Sequence, residues 1–414
     1  MSGSNINAYF KQIYGDAVNL VPNFAVIQKK HKFIGADKQT GREYVFPVKI
    51  SHVNSITYAA PDNGGVVEYE PLNGMSTKSV KVQGASIYLR DRISIEDFNR
   101  ASTGVKAFEK GTSLLVKSMI ESGSAIVESQ LLYGDTTLGV IEGSTNVSAT
   151  RTTLQFSSAS WASGLWVGGK GKKLEIYNTA DTVKVTGVSF VTIVSVDCEN
   201  RRLTVDSTAP EITALDTYLD SNSAHVYVKT AKGQSMAGLN KILTNTGELF
   251  GIDAGEVDLW RSSSYNVAGN ISMAKVNDAI AVAMGRGCME DLDLYLNPRA
   301  FNKLMSDQAS QRKFDGSYSS KEAKNGFEAL KFFSANGEIS ILPHAMVKEG
   351  EAFLIPPKQV KIIGANDWQW TEKEGDYFHT QETSPGKLLF LNYNGAVILQ
   401  NPSLAVKLTG ITYS

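Results

Sequence analysis

The stretch GLWVGGKG at 164–171 is one residue short of a phosphate-binding loop. Gly164, Gly169 and Lys170 occupy the positions of G-x-x-x-x-G-K-[ST], and Gly171 stands where a Ser or Thr hydroxyl would hold magnesium. Such a loop works when a helix begins directly after it, so that backbone N–H groups and the helix N-terminus face the phosphates. Here the strand-like KKLEIYN follows, and Lys172 and Lys173 supply no hydroxyl. The glycines are expected to serve tight turns instead.

The other residues capable of chemistry fare no better. GQSMAG (233–238) has one residue too many to be a G-x-S-x-G nucleophile elbow, and no strand pattern feeds it. A serine nucleophile also needs a nearby histidine and acid. The five histidines, His31, His52, His225, His344 and His379, are scattered, and none sits in an HExxH frame. MEDLDLY (289–295) brings Glu290, Asp291 and Asp293 together but lacks the glycine and remaining ligands of a calcium loop. The two cysteines, Cys198 and Cys288, suggest neither a disulfide framework nor a metal knuckle. No catalytic residue, cofactor or metal is expected. One rival reading, an enzyme using 164–171 for nucleotide, would show itself as stabilisation by magnesium-ATP.

The bulk properties agree. The 414 residues are 42% hydrophobic and 20% charged, with a formal net charge of −1. That balance argues against gripping nucleic acid by counterion release, though loose contact with DNA stays compatible with it. The start, MSGSNINAYFKQ, lacks the pattern of a signal peptide, and no apolar run reaches the length of a membrane span. A soluble protein made in a reducing cytoplasm is expected.

The elements then fall into an order. Residues 1–42 read as an arm, with a short helix that Pro22 ends and the basic cluster QKKHK at 28–32, a solvated face or a DNA-facing arm. EYVFPVKISHV (43–53) alternates like a strand. In 59–83, two β-like runs, VVEYE and KSVKV, flank the turn-forming PLNGM, with few apolar residues available for a core. An isolated two-stranded ribbon is marginal in water, so this one is expected to lie on something else. Glu68, Tyr69, Glu70, Lys78 and Lys81 are its candidate contact residues. The expected picture has acids on one run and bases on the other, docking through backbone pairing and charge.

ASIYLRDRISIEDF (85–98) alternates strongly. After it Phe108, Thr112, Leu115, Met119, Ser122, Ile126, Ser129 and Tyr133 recur at steps of four and three. This predicts a helix over 105–133, about 40 Å long at about 1.5 Å per residue, with Gly134 ending it in the left-handed conformation. From Gly143 to about Gly233 the chain turns rich in Thr, Ser and Val. Short strand patterns there, such as KKLEIYN, FVTIVSVD and AHVYVKT, predict a small β-unit inserted into an α+β body. Helical patterns resume at MAGLNKILTN and SMAKVNDAIAVAMGRG. Next come the strand DLDLYLN, a helix through RAFNKLMSD, a polar loop at 315–326 and a final series of strands.

This order of pieces resembles the major capsid protein of tailed bacteriophages, the Hong Kong 97-type fold. SAIVESQLLYGD, GLNKILTNTGELFGIDAGEVDLW, LYLNPRAFNKL and AVILQNPSLAVKLTGI are similar to what such proteins carry at matching places. The resemblance covers nearly the whole chain apart from about 144–233, where many members carry an inserted domain. It implies an N-terminal arm (1–42) and a peripheral domain (43–143) with an E-loop (59–83) and spine helix (105–133). An inserted β-domain (144–233), an axial domain (234–375) and a return to peripheral and axial β-segments (376–414) follow.

The resemblance further implies a non-enzymatic subunit of an icosahedral head that assembles with itself as hexamers and pentamers around double-stranded DNA. It would be made in the bacterial cytoplasm and located in the virion. Implied partners are a portal protein, a separate scaffolding protein (the chain starts almost at the arm) and a cement protein, with no membrane. Some members cross-link an E-loop lysine to a neighbour's asparagine. Lys78 and Lys81 lie in the ribbon, but nothing identifies a partner asparagine or acid, and that cross-link is not expected. An encapsulin-type nanocompartment of the same fold is the structural rival.

Overall fold

The computed structural model describes residues 22, 24–35, 43–59, 67–94, 105–306, 330–334, 337–373, 376–380 and 386–413. The expected helix runs over Val105–Tyr133. Its apolar stripe, including Val116, Met119, Ile120, Val127 and Leu131, is buried in one core with Trp368, Leu389, Leu391 and Tyr393 of the sheet it lies on. In that sheet, strand Ala85–Ser94 pairs antiparallel with Gly386–Leu399, from Ala85 opposite Gly395 to Ser94 opposite Gly386. Val360–Trp370 pairs antiparallel with the same strand, and Phe33–Ile34 adds parallel outside it.

The end of the long helix departs from expectation. Asp135 takes the left-handed conformation, with φ 52°, and Gly134 does not. Gly134 is needed for close approach instead: a Cβ there would sit 2.2 Å from the Met236 carbonyl oxygen.

A second sheet has the order Ser263–Gly269, Val406–Ile411, Ala352–Ile355, Leu292–Leu296, Gly337–Pro343, Leu330–Ser334. Its central strands LDLYL and AFLI are buried at every residue, including Asp293, whose carboxylate is paired by Lys30. Helices Met273–Gly285 and Pro298–Ser306 bury Val276, Ile280, Ala300 and Leu304 in the same core as Leu294, Ile341, Leu354 and Leu408.

Between these layers in sequence lies a closed six-stranded barrel. Its order is Ala224–Val228, Gly139–Ser148, Arg151–Phe156, Arg202–Asp206, Val191–Asp197, Lys173–Tyr177 and back to the first. Leu154, Leu174, Ile193, Leu203, Val205 and Val226 fill it. The first strand begins at Gly139, upstream of the composition change at Gly143, and its residues 139–141 pair with 224–226 to close the barrel. The unit also carries a helix absent from the sequence reading, Ala209–Leu219. Thr208 and Glu211 form a capping box at its start, and Ile212, Leu215 and Leu219 are buried. Glu349 ties the barrel to the second sheet's neighbourhood, accepting from Arg201 and from Arg299 at 2.9 Å each.

Candidate functional site

The sequence places its contact candidates on a ribbon, and the structure builds that ribbon differently. Strand Thr77–Val82 pairs antiparallel with Tyr44–Lys49, Tyr44 opposite Val82 and Lys49 opposite Thr77, and not with the VVEYE run. Phe46, Val48, Val80 and Val82 face the core at this proximal end. Farther out the two runs, 50–59 and 67–76, are held by hydroxyl and backbone bonds together. The Ser76 amide donates to Ser51 Oγ at 3.1 Å, the Asn73 amide to Ser55 Oγ at 2.5 Å and the Glu70 amide to Thr57 Oγ1 at 2.9 Å. Backbone bonds run beside them, from the Ile50 and Ser51 amides to the Ser76 carbonyl at 2.9 and 3.4 Å and from the Asn54 amide to the Asn73 carbonyl at 3.0 Å. Pro71–Met75 is therefore part of one run and not the turn between two. Ser and Thr hydroxyls stand in for ladder carbonyls there, which needs no apolar pattern and leaves none in the sequence.

This corrects the expected charge layout. Glu68, Glu70, Lys78 and Lys81 all lie on the returning run, exposed together with Tyr69, while the outgoing run carries Lys49 and His52. Lys81 reaches Glu43 across the ribbon at 4.0 Å. The apolar content is also larger in effect than its count suggests. Among the described residues, six of the thirteen exposed large apolar side chains are Val53, Ile56, Tyr58, Tyr69, Leu72 and Met75. Tyr58, Tyr69 and Leu72 are 90%, 87% and 97% exposed. So much bare apolar surface on two thin runs is the composition of a contact, not of a solvated loop.

The segment carrying the basic cluster at 28–32 is anchored on the body through Ile27, Gln28 and His31, while Lys29, Lys30 and Lys32 stay exposed. Glu128 on the long helix is fully buried, and its carboxylate accepts from the Ile27 amide at 2.7 Å, the Gln28 amide at 3.3 Å and His344 Nε2 at 2.8 Å. The Met346 amide donates to His344 Nδ1, which puts the imidazole proton on Nε2, facing Glu128. Lys30 pairs with buried Asp293 at 2.6 Å, and His31 lies 3.4 Å from the Tyr295 hydroxyl. Burial, then the adjacent Lys30 charge, lowers the His31 pKa to about 4.

The near-miss loop keeps Val167, Gly168, Lys170 and Gly171 exposed, but most of its backbone donors are already used. Its N–H groups are taken by protein carbonyls: Gly164 by Ala345, Val167 by Ser163, Gly169 by Trp166, Gly171 by Ile193 and Lys172 by Gly169. A helix of four residues, Ser163–Trp166, contains Gly164 and precedes the other glycines, and the strand Lys173–Tyr177 follows them. Trp161, Trp166 and Phe156 stack beneath the loop as part of the barrel core. Ser235 accepts from the Asp135 amide at 2.9 Å. Asp291 accepts from the Glu338 amide, and Glu290 from Gln359. Among the described residues, no three His, Cys, Asp or Glu side chains converge as a metal site, and no helix is long and apolar enough to cross a membrane.

The long helix on a twisted sheet, the projecting ribbon, the second sheet and the inserted barrel together define the Hong Kong 97-type capsid fold. The capsid subunit of cyanophage A-1(L) is similar over 96% of this chain and 94% of its own, with a TM-score of 0.51 at 9% identity. The virus-like particle from Pyrococcus furiosus covers 95% of this chain and 94% of its own, at 10% identity and a TM-score of 0.40. The SrpI encapsulin of Synechococcus elongatus covers 95% and 91%, at 7% identity and 0.40. No protein-family model matches the sequence, and a search of curated proteins returns no relative.

Proposed function

We propose that the chain is the structural subunit of an icosahedral phage head, assembling as hexamers and pentamers into a shell around double-stranded DNA. The observation that carries this reading is the ribbon, whose six exposed apolar side chains, Tyr58, Tyr69 and Leu72 nearly bare among them, suit a neighbouring copy. Glu68, Tyr69, Glu70, Lys78 and Lys81 belong to that contact, with the apolar side chains supplying most of its area and the charges its register. Many modest contacts repeated in every copy sum to a stable shell. A portal, a scaffolding protein and a cement protein are the further partners of such a head, and packaged DNA meets its inner face without sequence preference. The inserted barrel is a separate unit on this subunit.

Negative-stain images of the purified protein, with light scattering across a concentration series, test the proposal. Closed shells, or species of hexamer mass and above, are expected. A compact monomer at all concentrations, with a protease-resistant ribbon, contradicts it.

A further inference from the structure

Three side chains from distant parts of the chain meet in a buried site where the long helix ends. Lys407, on strand Val406–Ile411, places Nζ 2.6 Å from Asn240 Oδ1 and 2.5 Å from Glu351 Oε2. Asn240 sits on helix Leu239–Leu243, and its Nδ2 donates to Thr136 Oγ1 at 3.3 Å. Glu351 immediately precedes strand Ala352–Ile355, whose Phe353 is the cross-strand partner of Lys407. Asn240 and Lys407 are buried, and the Glu351 side chain is largely so. Lys348, also buried, donates to the Thr137 carbonyl at 2.8 Å and lies 4.2 Å from the Tyr133 ring centre. The Phe353 ring lies 6.0 Å from that of Tyr133 and 5.9 Å from Lys407 Nζ.

This site holds two amines and one carboxylate largely away from water, with the carboxylate in direct contact with the Lys407 amine. Burial lowers the Lys348 pKa to about 8 even beside Glu351. Burial pushes Glu351 upward, but the charges of Lys348 and Lys407 outweigh it and keep the carboxyl below its ordinary value, ready to accept a proton. The Asn240 amide carbon lies one carbonyl bond, about 1.23 Å, beyond Oδ1. The Nζ–Cγ separation is therefore no more than about 3.8 Å, close to the range of about 3–3.5 Å from which attack proceeds.

We propose that Lys407 and Asn240 form an isopeptide bond within the chain, with Glu351 carrying the protons. Glu351 Oε2 takes one proton from Lys407 Nζ, and the freed electron pair bonds to Asn240 Cγ while the C=O pair moves onto Oδ1. Glu351 passes that proton to Nδ2. The carbonyl then re-forms, the Cγ–Nδ2 bond breaks, and the nitrogen leaves with the second Nζ proton, relayed by Glu351, as ammonium. One lysine ammonium and one carboxamide become one secondary amide and one ammonium ion, so no oxidant or activating nucleotide is needed. Burial protects the reacting groups from hydrolysis, and proximity supplies the driving advantage. The bond lies inside one subunit, uses neither Lys78 nor Lys81, and closes the chain covalently from residue 240 to 407 around the second sheet. Like a long-loop disulfide, it stabilises by restricting the unfolded chain.

Denaturing intact-mass measurement and peptide mapping of the full-length protein, fresh and after prolonged incubation, test this. The expected mass is lower than the sequence mass by one ammonia, with a branched peptide joining the Asn240 and Lys407 segments. Lys407→Arg and Glu351→Gln are expected to restore the full mass and the two linear peptides. The wild-type measurement does not depend on how well a variant folds. Full sequence mass with separate linear peptides in both wild-type samples overturns the proposal. A wild-type-like mass deficit in Glu351→Gln overturns the role given to Glu351.

Discussion

The backbones of Gly134 and Gly238 lie in contact. The Gly238 amide donates to the Gly134 carbonyl at 2.9 Å, and a Cβ built on Gly238 would sit 2.4 Å from the Gly134 nitrogen. The long helix thereby ends against the residue that opens helix Leu239–Leu243, the element holding Asn240. Neither backbone can move without disturbing both elements. Gly238→Ala is expected to destabilise the subunit by about 1–3 kcal/mol or more, as overpacking does. Gly247→Ala, with nothing within 4 Å of the new Cβ, is the control and leaves the thermal midpoint nearly unchanged.

Glu128 is the anchor of the segment 24–31. Glu128→Ala would strand the Ile27 amide and His344 Nε2 in a buried site, and each charge-assisted bond lost costs about 1.5–3 kcal/mol. Hydrogen exchange should show faster exchange at Ile27 and Gln28, with the middle of the long helix still protected. Unchanged exchange at both amides would show that Lys30–Asp293 holds the segment alone.

His31 gives the subunit a defined acid sensitivity. It is neutral in the fold, with its pKa lowered from 6.5 to about 4 by burial and then by Lys30. Between those values the unfolded chain binds a proton that the native chain does not, so stability is complete above pH 6.5 and falls as the pH drops toward 4. The loss approaches about 3 kcal/mol by linkage. In His31→Gln, urea midpoints measured across this window should vary less with pH than in the parent.

The barrel makes a sharp statement about its own boundary. A fragment spanning 137–229 keeps residues 139–141, which pair with 224–226 and close the barrel. It should give a β-type circular dichroism spectrum and a cooperative melt. A fragment of 144–233 lacks those residues, exposes two strand edges and should melt without cooperativity or aggregate.

Much of this architecture was legible because it is local. The steps of three and four from Leu115 to Tyr133 announce a helix, and the alternation of Ile87 and Leu89 announces a strand, since both report which side chains face one core. The sequence Thr208-Ala-Pro-Glu211 carried a helix-start signal as well, but a Thr-rich stretch of short strands masked it. The ribbon's pairing was not legible. Tyr44–Lys49 was readable as a strand by its alternation, but its pairing with Thr77–Val82 was not, and Pro71 and Gly74 argued for a turn that the pairing does not make. The contact residues were visible as charges, whereas the exposure of Tyr58 and Leu72 depends on the fold. The Lys407–Glu351–Asn240 cluster was invisible for another reason: its members meet only when two strands and a helix far apart in sequence pack together.

The central claim is that copies join through the ribbon, and the double variant Tyr69→Ser, Leu72→Ser tests it most directly. Both side chains are almost fully exposed in the subunit, so their loss should leave the fold intact, with parent-like circular dichroism and thermal midpoint. Each removes apolar area worth about 25 cal/mol per Å² wherever it is buried between copies, and the deficit recurs at every contact of a shell. Sedimentation velocity of parent and variant under identical conditions is the measurement. The account predicts shells or large capsomers for the parent and small, folded species for the variant. Parent and variant sedimenting alike as complete shells would contradict it.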